Sequence, residues 1–260
     1  MLGKVFKYDM KSSSKYFIPL YLGFLAVTLF SKVLLELPNK GGFLVRSIFG
    51  LSITTYIVTF IAVALMTQVF IIMHFYKTFI TAEGYLTFTL PVKPATHINS
   101  KILLGVFWSV LSAIVILLSF VIFAAGHGLN SFFVEIGYIC AKFPTDFIGF
   151  IIEGVLLVIV SVISQPLLFY ASMSVGQLFS KHKVLGAIIA YFGISFITQL
   201  IAVVAVFVLG LSTYTITSFY FNGSALVHGY MIFLIALQTL LTVGYYFITY
   251  FFISRKLNLE

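Results

Sequence analysis

The sequence has very little charge for its length. Only 8% of its 260 residues are Asp, Glu, Lys or Arg, and 61% are apolar. A soluble domain carries about 25% charged residues, because its surface must be wetted by water. This composition therefore excludes a soluble enzyme, a secreted disulfide-bonded domain and a disordered regulator. The lipid bilayer must be the main solvent of the chain.

Catalytic and metal-binding motifs are also missing. Cys140 is the one cysteine, which excludes an intramolecular disulfide and leaves no cysteine-rich zinc site. The sequence has no P-loop, no H-E-x-x-H and no G-x-S-x-G motif. Only one of the seven acidic residues falls within an apolar segment, whereas intramembrane hydrolysis needs paired acids, a metal or an activated nucleophile. We therefore expect neither an enzyme nor a cofactor in this chain.

Six apolar stretches are each long enough to cross a bilayer, which takes about 20 helical residues. They lie near residues 16–35, 52–75, 102–124, 147–171, 185–209 and 231–252. Backbone polar groups in lipid must bond within their own segment, so each stretch is predicted to be a helix. The predicted fold is an all-α membrane protein with six transmembrane helices.

The basic residues predict the orientation of these helices. Eleven Lys and Arg residues lie on the side of the N-terminus, and four lie on the other side. Because cytoplasmic loops carry the excess of positive charge, both termini are predicted to be cytoplasmic. The net charge of +8 is then explained by the basic residues that orient the helices in the membrane, and we expect no nucleic acid as a partner.

Residues 1–15 have the pattern of a helix that lies in the membrane interface. At 100° per residue, their lysines share one face and their apolar residues the opposite face. The lysines are Lys4, Lys7, Lys11 and Lys15, and the apolar residues are Leu2, Val5, Phe6 and Met10. We predict an elbow helix over 1–15, followed by the transmembrane domain 16–260.

A few polar residues inside the spans are candidates for a substrate path or gate. Glu153 lies in the outer third of the fourth span, where it either contacts substrate or is protonated or paired with Lys142 or an interfacial group. Gln165, Gln199 and Gln238 lie in the last three spans. Amide side chains within spans indicate either helix packing or the lining of a path.

Two segments between spans stand out. The predicted cytoplasmic loop 76–101 keeps many apolar side chains, which need a protein surface to cover them. It either docks another protein or folds back on its own helices. On the outer side, residues 210–230 carry no charge and are rich in aromatic and hydroxyl side chains. This outer segment is predicted to be re-entrant, with an aromatic belt at the interface as the alternative.

Four short stretches together resemble bacterial ABC transporter permeases of the type-2 exporter class. They are the opening MLGKVFKYDM, the FYK block at 75–77, the run EGYLTFTLPV at 83–92 and the ending KLNLE at 256–260. The EGY run is the most specific of the four. The resemblance implies an elbow helix, six spans, and a coupling helix in the first cytoplasmic loop between spans. Carried onto this sequence, the coupling positions are Glu83, Gly84, Tyr85 and Pro91.

The resemblance also implies the partners and the function. Two ATP-binding subunits, which hold ATP and magnesium, would join this chain and a second permease that is identical or related. The complex would work as an exporter in the bacterial cytoplasmic membrane, in contact with its lipids. The apolar, aromatic-rich spans with little charge favour an amphipathic or lipophilic substrate, such as an antimicrobial peptide, lipid or drug. Two alternatives stay open: a non-transporting immunity or sensory subunit, and an ion-coupled secondary transporter that uses Glu153.

Overall fold

In the part of the chain that it describes, the computed structural model has six long helices. It describes residues 2–35, 43–81, 94–125, 133–135, 137–138, 147–179, 182–217 and 223–255, with backbone only at 43–46, 211–217 and 223–226. The helices are α1 (Leu2–Leu35), α2 (Phe43–Phe79), α3 (Pro94–Ala124), α4 (Phe147–Gly176), α5 (Lys183–Thr217) and α6 (Gly223–Arg255). All six are long and apolar enough to cross a membrane, which confirms the predicted number of spans.

Each helix extends beyond the apolar stretch that predicts it. The shortest, α4, has 30 residues and the longest, α2, has 37. At about 1.5 Å per residue, these helices are longer than the roughly 30 Å of hydrocarbon that they have to cross. Their ends therefore include polar residues that sequence analysis assigns to loops.

The N-terminal stretch is helical, as predicted, and it is continuous with the first predicted span. Helix α1 runs without interruption from Leu2 to Leu35, even through Pro19. Residues 4–18 contain no glycine or proline that would break the helix, and the side chain of Ser13 is buried within the bundle. Residues 2–15 are thus the first part of one long helix, and whether they lie in the membrane interface stays a prediction.

Both segments between spans are shorter than predicted. Helix α2 continues to Phe79 and α3 begins at Pro94, so both ends of the predicted loop 76–101 are helical. Similarly, α5 continues to Thr217 and α6 begins at Gly223 within the predicted outer segment 210–230. Whether that outer segment re-enters the membrane stays a prediction, as does the orientation of the termini.

Helices α1, α2 and α3 form one packed unit, called here the N-terminal unit. Its core is aromatic: the ring of Phe17 stacks on that of Trp108 at 4.1 Å, and the ring of Tyr56 stacks on that of Phe123 at 4.0 Å. Hydroxyl groups join the same helices, since Thr28 Oγ1 lies 3.0 Å from Ser119 Oγ. Phe17 and Trp108 lie near the middles of α1 and α3, and Thr28 and Ser119 lie near their ends, so the two helices are parallel.

Helices α4, α5 and α6 form a second unit, the C-terminal unit, in which α5 and α6 both pack mainly on α4. The turn between α4 and α5 is tight because of its glycines. A Cβ atom at Gly176 would lie 2.4 Å from the backbone nitrogen of Ala187, and one at Gly186 would lie 2.8 Å from the carbonyl oxygen of Gly176. Only glycine allows the two helices to approach this closely.

Helix α4 also joins the two units. The ring of Tyr170 stacks on that of Phe75 at 4.0 Å, and a Cβ at Gly105 would lie 3.2 Å from Pro166 Cβ. The contact lies toward the end of the bundle that carries most of the described basic residues. We call this end the basic end: Lys4, Lys7, Lys11, Lys15, Lys77, Lys101, Lys183 and Arg255.

Candidate functional site

An ion pair is buried at the basic end, between α1 and α3. The Nζ atom of Lys101 lies 2.6 Å from Oδ1 of Asp9. The Lys101 side chain is 1% exposed and that of Asp9 is 15% exposed. A buried ammonium group is stable only when a counter-charge or hydrogen-bond acceptors replace its water. The Asp9 carboxylate therefore fixes the position of α1 against α3.

Helix α2 contributes a third member to this cluster. The Nε2 atom of His74 lies 3.1 Å from Lys101 Nζ and 3.5 Å from Asp9 Oδ1. When the imidazole is neutral with its proton on Nδ1, Nε2 accepts a hydrogen bond from the lysine ammonium. Ser100 donates a hydrogen bond of 3.2 Å to the other carboxylate oxygen of Asp9. We call these four residues the Asp9 cluster, and it joins all three helices of the N-terminal unit.

Lys101 also links the N-terminal unit to α4 through its backbone. The hydroxyl group of Tyr170 donates a hydrogen bond of 3.1 Å to the Lys101 carbonyl oxygen. The Tyr170 side chain is 2% exposed, and its ring stacks on Phe75 of α2. One residue of α3 thus contacts α1, α2 and α4.

Two further contacts strengthen the joint between α1 and α3. The indole Nε1–H of Trp108 donates to Ser13 Oγ at 2.9 Å, and the hydroxyl of Tyr21 donates to the Trp108 carbonyl oxygen at 3.2 Å. Tyrosine and tryptophan are stable in an apolar core when their polar atoms have such partners. The joint therefore extends several turns from the Asp9 cluster along both helices.

The Asp9 cluster lies near the two helix ends that flank the predicted coupling loop. Lys101 is about two turns into α3, and His74 is within the last two turns of α2. Phe79 and Ile98, at the two helix ends that flank the loop, are fully buried. The coupling positions themselves, Glu83, Gly84, Tyr85 and Pro91, lie outside the described residues, so their roles stay predictions.

A cavity gives access to the Asp9 cluster from the basic end. It measures about 530 Å³ and lies between α1 and α2. Asp9 and His74 line it together with Lys77, Thr78 and Thr81. Mixed charged and hydroxyl groups of this kind bind water or polar ligands. In the part of the chain that the structure describes, no group of three His, Cys, Asp or Glu side chains is placed to hold a metal ion.

Glu153 lies in a second polar pair, away from the basic end. Its Oε1 atom lies 2.8 Å from Nδ1 of His228 at the start of α6, and the ring of Phe150 stacks on the imidazole at 4.0 Å. The pair is mostly buried, with side-chain exposures of 13% for Glu153 and 18% for His228. Glu153 is therefore paired with a histidine that the sequence did not single out, whereas Lys142, its expected partner, lies outside the described residues.

The three glutamines do not join Glu153 in one site. Gln165 and Gln199 are exposed on α4 and α5, and Gln238 is half-buried in α6. None of the contacts among the described residues links one of them to another or to Glu153. The predicted path through these four residues stays a prediction.

The residues that sequence analysis missed are the members of the Asp9 cluster. In the sequence, Lys101 is one of the basic residues that predict the orientation of the helices, at the end of a predicted loop. Asp9 is one acidic residue among the N-terminal lysines. The signal that could have found them is the long helix itself. Once α3 is extended back to Pro94, Lys101 lies inside a helix of the bundle, where a buried charge needs a partner.

The comparisons with known proteins give no relative for this arrangement. No protein-family model, no curated protein and no solved structure matches the chain.

Proposed function

We propose that this chain is the permease subunit of an ATP-driven exporter of the type-2 class. The sequence support is the resemblance of residues 83–92 and of the chain ends to such permeases. The structural support is the presence of six long apolar helices among the described residues and the Asp9 cluster near the two helix ends that flank the predicted coupling loop. ATP and magnesium would bind to a separate subunit.

The observation that carries this proposal is the connection of Lys101 to three other helices. A movement of the loop between α2 and α3 would displace the ends of both helices. Because Lys101 bonds to Asp9 of α1 and accepts a bond from Tyr170 of α4, the movement would reach both units rather than being lost in a loose helix end. Discrete packed contacts of this kind are what transmit a change between two states.

The proposal is tested first by co-purification. The tagged full chain is extracted from its native membrane in a mild detergent, and the bound proteins and MgATP hydrolysis are measured. We expect an ATP-binding subunit and ATP hydrolysis that purify with the chain. A chain that purifies without such a subunit, and that transports in vesicles without nucleotide, would contradict the proposal. A stable complex without substrate-dependent hydrolysis would favour an immunity or sensory subunit.

The transmission through Tyr170 has its own test. Tyr170→Phe removes the bond to the Lys101 carbonyl but keeps the ring that stacks on Phe75. We expect less substrate moved per ATP hydrolysed, with assembly unchanged. Tyr191→Phe is the matched control, because Tyr191 lies on α5 and its ring stacks on Phe169 rather than on the N-terminal unit. Equal coupling ratios in both variants would remove Tyr170 from the mechanism.

The buried pair of Glu153 and His228 favours one second candidate, an ion-coupled carrier. A carboxylate and an imidazole that share a hydrogen bond within spans are typical of proton pathways. Glu153→Gln separates the two functions. In a carrier it would abolish transport driven by a proton gradient, whereas in an ATP-driven permease transport would continue as long as ATP is supplied.

A further inference from the structure

A second cavity opens at the basic end, on the other side of α2. It measures about 320 Å³ and lies between α2, α4 and α5. Its walls are apolar and include Ile72 of α2, Ile80 just after α2, Met173 of α4, and Val184 and Ile188 of α5. Pockets that bind small ligands measure roughly 300 to 1,000 Å³ and are mainly apolar. The cavity is therefore large enough for a flexible hydrocarbon chain.

The cavity follows from the tight turn between α4 and α5. Gly176 and Gly186 let the start of α5 lie directly against the end of α4. Helix α5 packs on α4 and much less on α2, so a gap remains between α2 and α5. In a bilayer, such a gap between spanning helices is open to lipid from the side.

One positive charge lies among these apolar walls. Lys183, the first residue of α5, lines the cavity, and the exposed His182 precedes it. A lysine at a helix end places its aliphatic stem on apolar surface and its ammonium group at the level of the lipid headgroups. The site thus combines a hydrocarbon cavity with a cation at one edge.

We propose that this cavity binds an acyl chain of an anionic membrane lipid, whose phosphate group lies beside Lys183. Anionic phospholipids bind to basic pockets between transmembrane helices. A zwitterionic lipid would fill the cavity equally well but would gain less from Lys183, since its headgroup carries no net charge. This binding does not depend on the proposed transport function, because it needs only the folded chain in a membrane or micelle.

The role of the Lys183 charge in lipid binding is tested by native mass spectrometry of the full chain in a neutral detergent. Phosphatidylglycerol and phosphatidylcholine with identical acyl chains are offered at equal concentration. We expect about fivefold more bound phosphatidylglycerol, the effect of one basic side chain near an anionic group. Lys183→Gln should abolish this preference, whereas Lys183→Arg should keep it. Equal binding of the two lipids to the unaltered chain, or an unchanged preference in Lys183→Gln, would overturn the proposal.

Binding of the acyl chain in the cavity is tested by filling the cavity with a large side chain. Val184→Trp places a large ring at its wall, and Leu185→Trp is the matched control, because both residues are 55% exposed but only Val184 lines the cavity. We expect Val184→Trp to reduce the binding of both lipids severalfold and Leu185→Trp to leave it unchanged. If Val184→Trp does not elute as a single folded species, Ile188→Trp takes its place.

The two sources of a phosphate group are distinguished in the same experiment. Inorganic phosphate at millimolar concentration should not displace bound phosphatidylglycerol, since it has no chain to occupy the cavity. Displacement by phosphate, or unchanged lipid binding when the cavity is filled, would show that the cavity does not hold the lipid and would overturn the proposal.

Discussion

The two units of the bundle differ in what they bury. In the most apolar stretches of α1, α2 and α3, 28%, 22% and 22% of the residues are buried, whereas in α4, α5 and α6 the shares are 6%, 0% and 6%. The N-terminal unit also holds the Asp9 cluster, the Trp108 contacts and the bonded hydroxyls of Thr28 and Ser119. Against these polar contacts, the C-terminal unit contributes the pair of Glu153 and His228.

This difference shows how each unit is held together. Apolar helices gain little from association in lipid, because the lipid chains are as apolar as the side chains. Hydrogen bonds and an ion pair give the N-terminal unit one defined arrangement. Helix α5, with apolar side chains exposed along its length, instead offers its surface to lipid or to another chain.

The largest effect is expected from breaking the ion pair of the N-terminal unit. Asp9→Asn leaves the Lys101 ammonium buried without its counter-charge. The free energy of unfolding should fall by about 3–5 kcal/mol, which is the usual cost of an uncompensated buried charge. The measurement is reversible unfolding in mixed micelles.

The matched control for this variant removes both charges. Asp9→Asn combined with Lys101→Met should recover most of the loss, because no buried charge remains. A double variant as unstable as the sum of its single variants would show that the two side chains do not interact.

A smaller effect is expected where the two units touch. Gly105→Leu would place a side chain against Pro166 and Tyr170, at distances that a real Cβ atom rarely shows. Overpacking of this kind costs about 1–3 kcal/mol. Gly193→Leu on α5 is the control, since nothing lies within 4 Å of a Cβ at that position. Thermal unfolding of the two variants should therefore differ, and equal midpoints would contradict the packing of α3 on α4.

The smallest effect is expected from one hydroxyl bond between helices. Thr28→Val removes the contact with Ser119 and keeps the shape of the side chain. The expected loss is about 0.6 kcal/mol, the average for such bonds in membrane helices. Thr239→Val is the control, because the Thr239 hydroxyl is exposed and bonds only within its own helix, to the Ile235 carbonyl. A larger loss in Thr239→Val than in Thr28→Val would contradict the expectation that a hydroxyl bond between two helices contributes more to stability than one within a single helix.

The number and the order of the helices could be predicted from the sequence, because about 20 apolar residues in lipid leave few alternatives to a helix. The helix ends could not. Hydropathy reports the part of a helix that lies in hydrocarbon, so Lys101 and residues 4–15 were assigned to a loop and an elbow. Those ends carry the Asp9 cluster.

The pairing of side chains from distant parts of the chain was also beyond the sequence. Asp9 and Lys101 are separated by 92 positions, and Glu153 and His228 by 75. Composition requires that an ionisable group in a span have a partner, but it does not identify the partner. Only the packing of the helices supplies that identity.

The central claim is that the loop between α2 and α3 contacts an ATP-binding subunit. It is tested most directly by photo-crosslinking in native membranes, with Tyr85→benzoylphenylalanine in the loop and Tyr138→benzoylphenylalanine between α3 and α4 as the control. We expect a crosslink to an ATP-binding polypeptide from position 85 and none from position 138. No such crosslink from position 85, or one from position 138 instead, would contradict the claim.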